Sequence, residues 1–208
     1  MIPFPGRGLY AITPDGTLAD GELVSAVAAA IEGGAVAVQY RNKHGDPDRR
    51  RAEAARLASV CGSRGVPLII NDDVDLAATV GADGVHVGKD DMEPATARRV
   101  LGPDAIVGVS CYASTTRAVA AAAAGADYVA FGRFFPSVTK PGAPGCTLSL
   151  LKEARGLVSL PLVAIGGIDA DNGTALIEAG ADLLAVIHDV FGRNDPRAAA
   201  ARLAGLFG

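Results

Sequence analysis

The sequence predicts an α/β fold: a single-domain (β/α)8 TIM barrel spanning residues 1–208. Three observations carry this. Short, nearly all-apolar runs alternate with helical patterns eight times along the chain, and parallel strands covered on both faces need apolar residues throughout. The tripeptide Gly-Ala-Asp recurs at residues 81–83, 125–127 and 180–182, always between a helix end and a strand. The alternative, a doubly wound open sheet, lacks its nucleotide signature: no GxGxxG follows the first strand and no GxxxxGK[ST] occurs anywhere.

The elements follow in order. Residues 8–13 read as the first strand. Residues 20–34 read as a helix that Asp20 can cap and Gly33-Gly34 stops. Strand two is 35–41, then a helix over 47–65. Strand three is 68–72, followed by a short helix, 74–80. Strand four is 84–88, with a helix over 94–101. Strand five is 105–111, with a helix over 114–124 ending at Gly125. Strand six is 128–133, and a long loop leads to a helix over 148–158. Strand seven is 162–168 with a helix over 172–179, and strand eight is 183–187 with a last helix over 196–206.

Composition narrows the function. Half of the residues are hydrophobic and 20% are charged, which describes a globular chain. The net charge of -4 and the lack of a basic stripe argue against a nucleic-acid partner. The Arg49-Arg50-Arg51 run, in a helix that also carries Glu53, reads as a solvated face. Cys61, Cys111 and Cys146 lie far apart, so neither a zinc cluster nor a disulfide framework is indicated. Without a signal-peptide pattern or a run of transmembrane length, the expected location is cytoplasmic, with no membrane partner. The sequence leaves the oligomeric state open, a homo-oligomer included.

In a barrel the chemistry belongs at the C-terminal strand ends. Strand three closes in Asn71-Asp72, and strand four carries His86 and leads to Asp90-Asp91. Two carboxylates from neighbouring strand ends suit a hard cation such as Mg2+ bound to phosphate. They equally suit caps of the following helices. Strand two ends Gln39-Tyr40-Arg41-Asn42-Lys43. Alternation puts Ala35, Ala37, Gln39, Arg41 and Lys43 on the barrel side, and Val36, Val38 and Tyr40 on the helix side. A Gln with two cations at a barrel mouth suits a polyanion. Ser110 ends strand five, and alone it reads as a cap more readily than as a nucleophile. The loop after strand six carries Ser137, Thr139 and Lys140 among prolines and glycines, a composition shared by binding loops and plain surface loops. Gly166-Gly167 suit phosphate binding by backbone N–H groups; His188 suits either an anion contact or a cap. No Ser/His/Asp set, Cys/His pair or nicotinamide motif is present. The candidate groups bind anions and a cation, as departure of a pyrophosphate would require.

Taken in order, residues 39–43 (QYRNK), 70–72 (IND), 82–88 (ADGVHVG) with Asp91-Met92, 108–110 (GVS), Phe131-Gly132 with 136–141 (PSVTKP), and 164–168 (AIGGI) resemble the motif series of thiamine phosphate synthase. The resemblance runs from strand two to strand eight. It implies a (β/α)8 transferase that joins a hydroxymethylpyrimidine diphosphate to a thiazole phosphate, giving thiamine phosphate and pyrophosphate. By resemblance, Asp72 and Asp91 hold Mg2+. Arg41, Lys43, Asn71 and Lys140 bind the pyrophosphate, Ser110 donates to it, and Tyr40 and Asn42 fall within the same diphosphate-binding segment. Gln39 and His86 lie at the pyrimidine. Ser137, Val138, Thr139, Gly167 and the Ile187-His188 backbone take the thiazole phosphate. The implied mechanism is dissociative: pyrophosphate leaves first, and the thiazole nitrogen captures the pyrimidine-methyl cation. Three positions depart from the family pattern. Ser137 stands for the usual Thr, Tyr40 for an aliphatic residue, and His188 for the usual Ser. A thiazole tautomerase relative would need a His after Ser110, where this chain has Cys111. A non-catalytic thiamine phosphate sensor would not need the full set of Arg41, Lys43, Asp72 and Asp91.

Overall fold

A computed structural model describes residues 1–208 except Thr17, Ala19 and residues 137–144, and except the side chain of Asp20. Eight parallel strands close into a barrel in the order β1 to β8. They are β1 (Gly8–Ile12), β2 (Ala35–Tyr40), β3 (Leu68–Asn71), β4 (Gly84–Val87), β5 (Ile106–Tyr112), β6 (Tyr128–Gly132), β7 (Leu162–Ile165) and β8 (Leu183–Val186). Between them run α1 (Asp20–Glu32), α2 (Pro47–Gly62), α3 (Val74–Val80), α4 (Pro94–Leu101), α5 (Thr115–Ala123), α6 (Leu148–Leu157) and α7 (Gly173–Glu178). After β8 come a four-residue helix, α8 (His188–Phe191), α9 (Pro196–Ala204) and a final 3-10 turn (Gly205–Phe207). The expected fold class is the observed one. The sequence reading did not include α8, because four residues are too few to show a helical period.

The period of two decides which side chains fill the barrel. On β1, Tyr10 and Ile12 point inward, while Leu9 and Ala11 pack against the helices. Ala37, Ile69, Ile106, Tyr128, Ala130, Val163, Leu183 and Ala185 complete the interior cluster. On β2 the expected alternation holds only from Ala37 onward. Val36 packs against the interior cluster, and Ala35 joins the outer one. The cause is a bulge: Leu9 pairs with Ala35 but Tyr10 pairs with Ala37, leaving Val36 as the extra residue.

The Gly-Ala-Asp repeat has a structural role. Asp83, Asp127 and Asp182 each precede a strand and accept the backbone N–H of Leu68 (3.0 Å), Val107 (2.6 Å) and Leu162 (2.7 Å) in the preceding strand. Arg98 and Arg155 bind Asp127 and Asp182. The repeat thus ties strands in pairs at the N-terminal rim, away from the site. Among the described residues no helix is long and apolar enough to cross a membrane.

Candidate active site

The C-terminal strand ends surround a cavity of about 340 Å³. Gln39, Arg41, Asn71, His86 and Ser110 line it on the β2–β5 side, and Gly166, Gly167, Ile187 and His188 on the β7–β8 side. Beside it lies a second hollow lined by Asn42, Lys43, Arg50, Asn71, Asp72 and Asp73. The structure therefore brings together residues from six separate strand ends. Ser137, Val138, Thr139 and Lys140 fall outside the described residues.

Arg41 is held from two sides. Its backbone N–H donates to the buried Thr13 Oγ1 at 2.9 Å, and its guanidinium donates to Asp15 Oδ2 at 2.5 Å. Asp15 also accepts the Lys43 backbone N–H. Thr13 and Asp15 gave no sequence signal, because only the β1–β2 pairing places them beside Arg41.

The Lys43 ammonium sits 2.7 Å from Asp72 Oδ2. The Asp72 and Asp91 carboxyl groups lie near enough to influence each other, and the two shift in opposite directions. Burial pushes Asp72 up, but the adjacent Lys43 outweighs it and holds Asp72 below the usual carboxylate range. Burial likewise pushes Asp91 up, the Gly88 N–H opposes this, and the charge of Asp72 completes a net rise. The capping alternative belongs to a neighbour: Asp73 Oδ1 accepts the Leu76 N–H at the start of α3. Asp72 is left to face Lys43 and Asp91, with its backbone in the left-handed region (φ 64°). Asp90 is exposed and takes no part in the pair. Among the described residues no group of three or more His, Cys, Asp or Glu side chains gathers as a metal site. Among the described residues, the Asp72 and Asp91 carboxyls are the groups that could hold a hard cation; Mg2+ commonly keeps waters and completes its shell with substrate phosphates.

One expectation, on α2, is corrected at Glu53. Tyr40 points outward, on the helix side where the alternation puts it, and donates to Glu53 Oε2 at 2.6 Å. The same carboxylate accepts Asn42 Nδ2 at 3.2 Å and Arg49 Nε at 2.7 Å. Glu53 is buried, although Arg49 and Arg51 of the same helix stay exposed, so the expected solvated face holds for those two arginines and not for Glu53. Burial raises the Glu53 pKa, but the hydrogen bonds from Tyr40, Arg49 and Asn42 more than offset this and hold it below 4.5. Arg50 also turns inward. It donates to Asp73 Oδ2 at 2.8 Å, and its buried Nε has no hydrogen-bond partner among the described residues.

The β7–β8 side is built from backbone. A Cβ on Gly167 (φ 67°) would lie 2.3 Å from the Pro136 carbonyl oxygen, and one on Gly166 2.4 Å from Arg133 Cβ. Only glycine lets these two loops meet. Ile187 caps α8, whose first residue is His188. The His188 ring is exposed and folds back over Gly192, where a Cβ would be 2.6 Å from its Nδ1.

A parallel (β/α)8 barrel with a charged mouth at its C-terminal strand ends is the class in which barrel enzymes carry their active sites. The family model described as thiamine monophosphate synthase matches residues 9–190. The thiamine-phosphate synthase of Azoarcus sp. (strain BH72) is 56% identical over 201 residues, 97% of each chain. That of Methylococcus capsulatus is 52% identical over 99% of this chain and 92% of its own. Among solved structures, a thiamine phosphate pyrophosphorylase from Pyrococcus furiosus superposes with a TM-score of 0.85 at 34% identity, covering 97% of this chain and 96% of that one. The chain belongs to the thiamine monophosphate synthase family.

Proposed function

We propose that this chain is a transferase joining 4-amino-2-methyl-5-hydroxymethylpyrimidine diphosphate to 4-methyl-5-(2-phosphoethyl)thiazole, with formation of thiamine phosphate and release of pyrophosphate. The observation that carries the reading is the placement of Lys43 against Asp72, which interacts with Asp91, in a hollow beside the cavity of about 340 Å³ that Arg41 lines. That volume suits small-molecule ligands. The whole chain is read as one catalytic barrel.

Asp72 and Asp91 would hold Mg2+, which supplies a Lewis acid that neutralises charge on the departing pyrophosphate. Arg41, Lys43 and Asn71 bind that pyrophosphate, with Lys140 from the β6 loop. The unpartnered Arg50 Nε is a further donor for it. Ser110 donates to the same group. Gln39 and His86 hold the pyrimidine. The C–O bond to pyrophosphate breaks with its electron pair on the leaving oxygen, and the resulting cation is delocalised into the ring. The thiazole nitrogen then forms the new C–N bond with its own lone pair. No proton is lost in this step, so it needs no general base. Tyr40 acts from outside the cavity, through Glu53, by fixing the end of β2. Asn42 shares that clamp at the edge of the hollow around Lys43. Gly167 and the Ile187-His188 backbone, with Ser137, Val138 and Thr139, take the thiazole phosphate.

The test is product identification by mass spectrometry after mixing the purified chain with both substrates and Mg2+. Thiamine phosphate is expected only when both are present. Its absence from a folded sample would overturn the reading.

A further inference from the structure

In the floor of the cavity, five side chains form one continuous chain of hydrogen bonds; four of them line the cavity and Tyr128 lies beneath. Gln39 Nε2 donates to the Tyr10 hydroxyl at 2.8 Å. The Tyr10 and Tyr128 hydroxyls lie 2.9 Å apart. The Tyr128 hydroxyl is 2.9 Å from His86 Nδ1, and His86 Nε2 is 2.8 Å from Ser110 Oγ. Tyr10 is 1% exposed and Tyr128 0%, so bulk water serves neither hydroxyl.

Each link constrains the next. The Tyr10 hydroxyl has one hydrogen and already accepts from Gln39, so its hydrogen goes to Tyr128. The Tyr128 hydrogen then goes to His86 Nδ1. A neutral imidazole that accepts at Nδ1 carries its hydrogen on Nε2, and this one donates it to Ser110 Oγ. The hydrogen of Ser110 itself is left for the cavity that Ser110 lines. Reversed polarity would require Gln39 to turn its carbonyl oxygen to Tyr10. It would spend the Ser110 hydrogen on His86 and leave only lone pairs for an anion.

The surrounding packing is built for this arrangement. A Cβ at Gly108 would lie 2.0 Å from Tyr128 Cζ and 2.3 Å from its hydroxyl oxygen, so glycine there makes room for the phenol. The Phe4 ring stacks on Tyr128 with centroids 4.0 Å apart and planes 7° apart, and it meets Tyr10 edge-on at 5.7 Å. The N-terminal segment therefore braces both tyrosines.

We propose that Tyr10 and Tyr128 are positioning residues that lock His86 in its Nε2–H form and thereby turn the Ser110 hydrogen toward the leaving pyrophosphate. The inference rests on the proposed reaction, in which Ser110 is a donor to that group. Removing a donor of this kind lowers kcat by about 10²–10³-fold. A donor that is present but not oriented loses part of that, on the order of 10-fold.

The test has two arms. The first is the 15N spectrum of His86 in the full chain, assigned by comparison with His86→Gln. The Nε2–H form is expected, and the Nδ1–H form would overturn the proposal whatever the reaction. The second is steady-state kinetics of Tyr10→Phe and Tyr128→Phe, alone and combined with Ser110→Ala. Each single variant should lose about 10-fold in kcat with the KM for the thiazole phosphate unchanged, and should add nothing in the Ser110→Ala background. Losses that multiply with Ser110→Ala, or full activity in folded tyrosine variants, would show that the tyrosines only pack. Should Tyr128→Phe fail to fold, Tyr10→Phe and the spectrum decide. A folded wild-type chain that makes no thiamine phosphate defeats the proposed reaction instead, and the spectrum still reads the tautomer.

Discussion

Asp72 is the residue whose substitution separates the metal reading from a structural one, and its backbone dictates which substitution to use. At φ 64° an alanine would be strained by about 1–2 kcal/mol, whereas asparagine tolerates that region. Asp72→Asn also keeps a side-chain oxygen for Lys43. The ion pair it weakens has side chains 38% and 26% exposed, so solvent screening leaves it about 0–1 kcal/mol of stability. The melting transition should therefore barely move. Turnover should fall steeply, because one of two carboxylates offered to the cation is gone. A loss on the order of 10²-fold is expected, equivalent to about 2.7 kcal/mol of transition-state stabilisation. The assay is initial-rate pyrophosphate release across a Mg2+ titration, with a thermal melt on the same sample. The midpoint of the Mg2+ curve should move to higher concentration. A variant with unchanged rate and unchanged Mg2+ dependence would remove Asp72 from the metal site.

Other expectations follow from neighbouring contacts. Glu53→Ala strands two buried donors, the Tyr40 hydroxyl and Asn42 Nδ2, and should cost about 3–5 kcal/mol by urea unfolding; adding Tyr40→Phe should recover part of that. Because the folded Glu53 pKa lies below 4.5, its contribution is complete above the unfolded value and is lost as pH falls through the folded one. Acid unfolding of Glu53→Gln should accordingly show a shallower slope below pH 4.5 than the wild type, and equal slopes would contradict the burial argument. Gly167→Ala drives a methyl to 2.3 Å from the Pro136 carbonyl and should raise the KM for the thiazole phosphate at least 10-fold, with the pyrimidine KM little changed. Arg50→Gln should raise the KM for the pyrimidine diphosphate by about 10-fold, and an unchanged value would return Arg50 to a purely structural role.

Much of this was legible in the sequence, for identifiable reasons. The helices α3 and α4 begin and end where the pattern puts them, because Asp73, Pro94, Gly81 and Gly102 punctuate them. Most strands stop a residue or more before the expected end; past β2 and β6 the first residues outside the ladder, Arg41 and Arg133, line the cavity. Residues 166–168 show the largest difference, forming a glycine turn after β7. Tyr10 and Tyr128 were not legible as a polar network, because tyrosine in a strand reads as one more large apolar residue. Their hydroxyls matter only once β1, β4, β5 and β6 are closed around them, and Gly108 could signal the space for Tyr128 only after the β5–β6 register is known. Glu53 read as solvent-facing because charge in a helix usually is; the tyrosine at position 40 is what buries a partner for it. Thr13 and Asp15 became interpretable only through pairing across β1 and β2.

The most direct measurement is a quenched single-turnover experiment by 31P NMR, with the chain in excess over the pyrimidine diphosphate and with the thiazole phosphate and Mg2+ present. Pyrophosphate and thiamine phosphate should accumulate in equal amounts, and EDTA added beforehand should suppress both. Pyrophosphate formed without thiamine phosphate, or equal products in the presence of EDTA, would contradict the account.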